Sequence, residues 1–148
     1  MADFELRHDF RAAPAELYRA WTDAALLARW ITPQDGFVVT AAEVEARPGG
    51  RLALLVRTPT GAPGRVDGVF RELEPERRLV LAWRVSGTGT PLDSSADSLL
   101  TVGFAARAGG TELRLEHSGL SDGEREAFRH AWYGAVGKLT TLLPRDGD

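Results

Sequence analysis

The 148-residue sequence contains no cysteine, which excludes a disulfide scaffold, thiol catalysis and thiolate metal sites. Basic runs are also absent and the net charge is −3, so the chain lacks the positive patch that nucleic-acid binding requires. No apolar stretch approaches the roughly 20 residues of a membrane-spanning helix, and we expect no membrane span. The segment from Met1 to Glu5 has no apolar signal region, so the expected location is the cytoplasm.

Hydrophobic alternation and turn residues divide the chain into one strand, two short helices, six strands and a final helix. The first strand spans Phe4 to Phe10, where alternate residues fall on one side. One short helix begins at Pro14, and a second, capped by the Thr22–Asp23 pair, ends at 33–36. Six further strands are predicted at 37–46, 52–56, 66–73, 79–85, 99–106 and 112–117. The polar segment 87–97 is predicted to be the most flexible loop.

The final helix is predicted from a capping box and a long apolar stripe. Ser121 and Glu124 have the S-x-x-E spacing of a capping box, and Pro144 follows as a stop signal. Apolar residues then recur every three or four positions at Phe128, Trp132, Ala135, Val136, Leu139 and Leu143. A helix with one apolar stripe and an antiparallel sheet with one apolar face can bury each other, which predicts an α+β fold with the helix on the sheet.

Several motifs occur in order along nearly the whole chain, from Phe4 to Leu143. They are 10–23 (FRAAPAELYRAWTD), 26–33 (LLARWITP), 47–51 (RPGGR), 68–73 (GVFREL) with Pro75 and 78–80 (RLV), 110–113 (GTEL), 117–120 (HSGL) and Trp132. This set resembles the START-like (SRPBCC) superfamily, and within it the family related to the C-terminal domain of the activator of the ninety-kilodalton heat-shock chaperone ATPase. The resemblance implies a helix-grip fold, β-α-α-β6-α, in which a curved seven-stranded antiparallel sheet wraps around a long C-terminal helix. Residues 1–148 would form a single START-like domain.

The same resemblance implies a cavity between the sheet and the helix, with the loops 32–36, 58–64, 87–97 and 119–123 around its mouth. The residues expected to point into this cavity are Leu54, Trp83, Val102, Phe104, Leu115, His117, Phe128 and Trp132. A mostly apolar pocket with a few polar groups is typical of small-molecule sites. The first hypothesis is therefore a small cytoplasmic protein that binds a hydrophobic or aromatic molecule.

Two polar residues have roles that the sequence leaves open. His117 shares a strand face with Leu115 and so points inward. There it is either hydrogen-bonded at the strand end, where it holds the loop to the last helix, or it contacts a ligand or acts as a proton donor. Glu72 points towards the cavity if Phe70 does, and its pKa would then rise; if Leu73 points inward instead, Glu72 is solvated.

Arrangements for metal binding, phosphate binding or nucleophilic catalysis are not apparent. His8, His117 and His130 belong to different elements without ligand spacing. The glycine-containing segment 87–90 precedes a strand rather than a helix, unlike a phosphate loop. Ser118 faces away from His117 because neighbours on a strand point to opposite faces. We therefore predict no metal, no cofactor and no assigned catalytic residue.

Two alternatives to ligand binding remain. One is an interaction protein similar to the chaperone-ATPase activator, whose partner would be a heat-shock chaperone. The other is a cyclase-like or hydrolase-like enzyme that uses His117 or Glu72 as acid or base in the cavity. The expected partners are thus an apolar small molecule or a chaperone, without nucleic acid, and the expected state is a monomer or a homodimer.

Overall fold

Secondary structure in the computed structural model, which describes residues 2–32, 36–94 and 96–143, follows the predicted order. The elements are β1 (Phe4–Phe10), α1 (Pro14–Thr22), α2 (Ala24–Leu27), β2 (Val38–Val44), β3 (Arg51–Arg57), β4 (Pro63–Glu74), β5 (Arg78–Ser86), β6 (Ser98–Arg107), β7 (Gly110–Ser118) and α3 (Asp122–Leu142). The predicted stop signals Pro33 and Pro144 lie outside the described residues. The α+β fold class and the helix-grip arrangement are confirmed.

The seven strands form one antiparallel sheet in the order β1-β7-β6-β5-β4-β3-β2. From β2 to β7 each strand pairs with the next one along the chain. Strand β1 instead pairs with β7, from Phe4 opposite His117 to Phe10 opposite Thr111. The sheet is therefore a six-stranded meander whose last strand also receives the first strand of the chain.

Alternation along the strands places one apolar row of each on the inner face, where α3 packs. In β6, for example, Leu100, Val102 and Phe104 are buried, whereas Leu99, which precedes them, is exposed. The residues of α3 in the same core are Phe128, Trp132, Ala135, Val136 and Leu139. The main core of the protein therefore lies between the sheet and this helix.

The start of α3 is fixed by the predicted capping box. Ser121 Oγ accepts a hydrogen bond from the Glu124 backbone N–H at 3.3 Å, and the Ser121 N–H donates to Glu124 Oε1 at 3.0 Å. Two N–H groups that the helix itself cannot satisfy thus find acceptors. This cap sets where the helix begins, and so which residues of its stripe meet the sheet.

Replacing Trp132 by alanine tests the docking of α3 on the sheet. The Trp132 side chain is 4% exposed, and we expect Trp132→Ala to lower the free energy of unfolding by roughly 3–5 kcal/mol, as for other buried aromatic truncations. Tyr133, the next residue, is 54% exposed, so Tyr133→Ala should change it by only about 1 kcal/mol. Chemical denaturation of both variants measures the difference, and equal losses would contradict the docking.

Candidate functional site

A cavity lies between α3 and the inner face of strands β3, β4 and β5. Its lining is Ile31, Thr32, Phe37, Leu54, Val56, Val66, Trp83, Val85, Thr88, Leu92, Phe128, Ala131 and Trp132. Eleven of these side chains are apolar or aromatic, and two are threonines. Such a wall favours apolar surface and offers few polar contacts.

The cavity is narrow, with a volume of about 50 Å³. Pockets for drug-sized ligands typically span about 300–1,000 Å³, so this cavity is several times smaller than a drug-sized ligand needs. Phe37 and Leu92 belong to the lining but are only half-buried. Together with the half-buried Ala131, they form the solvent-facing part of the lining.

The structure brings four of the eight predicted cavity residues to this lining, namely Leu54, Trp83, Phe128 and Trp132. The other four, Val102, Phe104, Leu115 and His117, are buried but lie outside it. They belong to β6 and β7, whereas the strand part of the lining comes from β3, β4 and β5. Phe104 packs edge-on against Tyr18 of α1, with ring centroids 6.0 Å apart, and His117 packs against Phe128 and Trp132 of α3.

Some lining residues that the sequence analysis did not name could have been predicted from the alternation of side chains along the strands. Val56 and Val85 follow two residues after Leu54 and Trp83, and so point the same way. Thr88 and Leu92 belong to a loop, where no periodicity indicates which side chain turns inward. The sequence therefore holds a signal for the strand part of the wall and none for the loop part.

A buried chain of hydrogen bonds connects α3 to three strands. The Trp132 Nε1–H donates to His117 Nδ1 at 3.1 Å. His117 Nε2 lies 2.7 Å from Ser98 Oγ, and Ser98 Oγ donates to the Trp83 carbonyl oxygen at 3.1 Å. Because Nδ1 accepts and the serine proton is used, His117 must carry its proton on Nε2 and donate it to Ser98. Every polar atom of the imidazole is thereby satisfied.

The environment of His117 keeps the imidazole neutral. Its side chain is 0% exposed, and this burial lowers the pKa of His117 from 6.5 to about 4, against a smaller opposing effect of the Asp3 and Glu124 carboxylates. A second proton on Nδ1 would also face the N–H of Trp132. His117 is thus a neutral connecting residue between α3 and the sheet, rather than a free proton donor in the cavity.

Glu72 does not face the cavity. Phe70 points inward and pairs with Leu81, but the next pair in the register is Glu72 with Val80, so Arg71 is an extra residue in the strand. This β-bulge reverses the alternation, and the prediction that Glu72 follows Phe70 inward is wrong. The Glu72 side chain is 53% exposed and accepts a hydrogen bond from Arg78 at 2.9 Å.

The loop at 87–94 forms one side of the cavity mouth and is organised by Asp93. Asp93 Oδ1 accepts from the Thr88 N–H at 2.9 Å and from Thr88 Oγ1 at 2.6 Å, and Oδ2 accepts from the Gly89 N–H at 2.9 Å. Burial raises the pKa of Asp93, but these hydrogen bonds outweigh it and the net pKa lies below its ordinary value. The flexibility predicted for 87–97 stays a prediction.

A glycine allows this loop to lie close to the sheet. A Cβ atom on Gly64 would lie 2.8 Å from Thr88 Cγ2 and 2.9 Å from Val56 Cγ2, closer than carbon atoms normally approach. Since both of those residues line the cavity, the absence of a side chain at Gly64 sets how tightly the loop covers it.

All four tryptophans of the chain form one series of ring contacts beside the cavity. The centroids of Trp30 and Trp21 are 4.8 Å apart, those of Trp21 and Trp132 are 5.8 Å apart, and those of Trp132 and Trp83 are 5.7 Å apart. The Trp30 Nε1–H donates to the Ala20 carbonyl oxygen at 3.0 Å. Tryptophan fluorescence therefore reports on the cavity wall and its immediate support.

Over 2–32, 36–94 and 96–143, no group of three or more histidine, aspartate or glutamate side chains is arranged to hold a metal ion. In the same described ranges, no helix combines the length and hydropathy needed to cross a bilayer.

The order of elements, the helix-grip geometry and the sequence agree with one protein family. A model of the family described as "Activator of Hsp90 ATPase homolog 1-like protein" matches residues 11–144. The chain belongs to this family. Membership in the Activator of Hsp90 ATPase homolog 1-like family confirms the resemblance noted in the sequence motifs.

Individual relatives show the same likeness. The chain is 29% identical over 127 residues to the human protein "Activator of 90 kDa heat shock protein ATPase homolog 1", an alignment that covers 86% of the chain and 32% of the human protein. The chain thus spans about a third of the length of this curated relative. A solved structure from Chromobacterium violaceum is 28% identical with a TM-score of 0.82, covering 94% of each chain. The AHSA1 protein from Silicibacter pomeroyi, at 24% identity, has the same fold, with a TM-score of 0.80 and 95% and 96% coverage.

The buried neutral histidine predicts a pH dependence of stability. Between pH 6.5 and about pH 4 the unfolded chain binds a proton at His117 that the folded chain does not, so stability falls as the pH is lowered through this window. The lowering of the His117 pKa corresponds to roughly 3 kcal/mol in the free energy of unfolding. In His117→Gln the amide can accept from Trp132 and donate to Ser98 but does not titrate. This variant should therefore lack the His117 contribution to the slope of the free energy of unfolding against pH. Denaturation at several pH values measures it, and identical slopes would contradict the assignment.

The Asp93 carboxylate predicts the hydrogen-exchange behaviour of the cavity loop. Asp93→Ala removes the acceptor of the Thr88 and Gly89 amides, and we expect both to exchange at least about tenfold faster, because hydrogen bonds to a charged group contribute about 1.5–3 kcal/mol. Asp97 bonds the Arg84 side chain, so Asp97→Ala serves as the control. Unchanged exchange at Thr88 and Gly89 in Asp93→Ala would refute this role.

Proposed function

We propose that this protein binds a small, largely apolar molecule in the cavity between α3 and strands β3 to β5. The observation that carries the proposal is the cavity wall itself, which is apolar apart from two threonines and is formed by side chains from strands, loops and helix. Burying apolar ligand surface there would contribute about 25 cal/mol for each Å² removed from water.

A ligand larger than a few atoms requires the cavity to widen. The half-buried side chain of Leu92 stands at the mouth on the loop that Asp93 organises. In this proposal the loop moves outward as a unit and Leu92 leaves its place to the ligand. The hydrogen bonds of Asp93 within the loop need not break in such a displacement. The two bonds between Ser94 and the Val85 backbone join the loop to β5 and must break or serve as its hinge.

Interaction with a heat-shock chaperone is the second candidate. It is supported by membership of the family and by the name of the human relative, which activates the ATPase of a 90 kDa heat-shock protein. The chain corresponds to about a third of that relative, so this partner is a proposal for the present chain. A purified chaperone of that class, tested for binding and for a change in its ATPase rate, distinguishes this candidate.

Acid–base catalysis by His117 and Glu72 has less support. His117 is fully buried on the inner face and both of its ring nitrogens are hydrogen-bonded. Glu72 lies exposed on the opposite face and pairs with Arg78. The two groups proposed as acid and base therefore do not meet at one site.

Binding of neutral aromatic probes tests the first candidate. We expect probes such as toluene and naphthalene to change the tryptophan fluorescence saturably and to raise the melting temperature. At a hundredfold excess over Kd the stabilisation should approach about 2.7 kcal/mol. Ala131 lines the cavity, so the larger side chain in Ala131→Leu should fill it and abolish both effects.

The matched control is Ala25→Leu, which changes an exposed alanine on α2 and should leave probe binding intact. Equal probe binding by the wild type and Ala131→Leu would show that the probes bind elsewhere. Absence of binding by any probe, together with binding to the purified chaperone, would replace the first candidate with the second.

A further inference from the structure

The polar groups of the cavity wall indicate which kind of apolar molecule fits it. This inference rests on the ligand binding proposed above and specifies its chemistry. Among the described lining residues, the side chains able to form hydrogen bonds are Thr32, Trp83, Thr88 and Trp132. A buried donor or acceptor without a partner is costly, so the groups that remain free define what a ligand must supply.

Two of these four side chains are already committed. The Trp132 N–H donates to His117, which turns the polar edge of this indole away from the ligand. Thr88 Oγ1 donates to the Asp93 carboxylate at 2.6 Å and accepts from the Thr90 N–H at 3.2 Å, with Thr90 Oγ1 a further 2.7 Å contact. Both residues therefore present mainly carbon atoms to the cavity.

Trp83 differs from the other buried tryptophans. Its side chain is 3% exposed and lines the cavity, and its Nε1–H makes no hydrogen bond within the described part of the chain. Among described side chains, the only unpartnered nitrogen or oxygen that is sealed from solvent is Trp21 Nε1. The Trp83 Nε1–H therefore touches space that solvent can enter, and the Trp83 side chain lines the cavity.

Thr32 is the second uncommitted side chain. Its hydroxyl oxygen accepts a hydrogen bond from Lys138 Nζ at 2.6 Å, which leaves the hydroxyl proton and one lone pair. Thr32 can therefore donate or accept, whereas the Trp83 indole can only donate.

We propose that the Trp83 indole N–H is the ligand-recognising donor of the cavity, and that the ligand is a compact apolar molecule carrying a hydrogen-bond acceptor such as a carbonyl oxygen. The acceptor lies against the inner face of β5, and the hydrocarbon part of the ligand contacts the apolar wall. A ligand whose only polar group is a donor cannot bond the Trp83 N–H, which then stays unsatisfied.

Acetophenone and α-methylstyrene form a matched pair of probes. They share a planar shape, but the carbonyl oxygen of the first is a methylene carbon in the second. Calorimetric titration of the wild type and of Trp83→Phe gives the ratio of the two dissociation constants for each protein. The two probes differ in hydration, but this difference is the same for both proteins. It therefore cancels when the ratio of dissociation constants for the wild type is compared with that for Trp83→Phe. We expect the wild type to favour acetophenone about threefold to tenfold more than Trp83→Phe does, the range of one neutral hydrogen bond.

Trp30→Phe is the control, because its N–H donates to the Ala20 carbonyl and lies outside the cavity lining. It should keep the wild-type ratio. In proton–nitrogen NMR spectra of the wild type, the Trp83 indole signal should move on addition of acetophenone by more than with α-methylstyrene. This measurement does not depend on the folding of any variant.

If the ratio is the same in the wild type and Trp83→Phe, and the Trp83 indole signal responds equally to both probes, the donor assignment is wrong while binding in the cavity stands. If neither probe binds the wild type, the proposed function fails and the donor assignment fails with it. A changed ratio in Trp83→Phe with an unchanged ratio in Trp30→Phe supports the assignment.

Discussion

The indole N–H of Trp132 reaches His117 on β7, and this imidazole continues the chain of hydrogen bonds through Ser98 to the backbone of β5. The rest of the inner architecture depends on that arrangement. It ties the long helix to the middle of the sheet, and it keeps the histidine in a single neutral form. It also orients the Trp132 ring so that its apolar face borders the cavity. Buried polar networks specify one geometry when every member is satisfied, and here that geometry defines the cavity wall.

The elements of the fold could be predicted from the sequence because their signals are local. Ser121 and Glu124 mark the start of α3, and the spacing of its apolar residues sets the buried face. Turn residues separate strands whose alternation is regular. That all seven strands join in one antiparallel sheet came from the resemblance to a family, since periodicity alone does not show which strands pair. The prediction from alternation failed at Arg71, an extra residue in β4 that reverses the side of the sheet on which Glu72 lies. A bulge changes neither the composition nor the hydrophobicity of a strand, so nothing in the sequence pattern indicated this one.

The candidate site could be predicted only in part, and for a related reason. The alternation of side chains along a strand identified Leu54 and Trp83 as inward residues, and the helical spacing of apolar residues did the same for Phe128 and Trp132. The alternation of side chains does not show how far along the sheet the cavity extends, so His117 and three residues of β6 and β7 were included although they lie outside the lining. The hydrogen-bond partners of the tryptophans depend on three-dimensional contacts between distant elements. Only the structure therefore distinguishes the committed N–H of Trp132 from the free N–H of Trp83.

The pairing of β1 with β7 also affects the order in which the protein folds. The meander from β2 to β7 joins strands that are neighbours in sequence, whereas Phe4 pairs with His117 across most of the chain. Closing so long a loop costs more conformational entropy than forming a hairpin, and contacts of this kind slow folding. The meander can assemble from local contacts, while β1 can add to the sheet only after β7 is in place. The edge of the sheet formed by the first strand of the chain is thus among its last parts to become native.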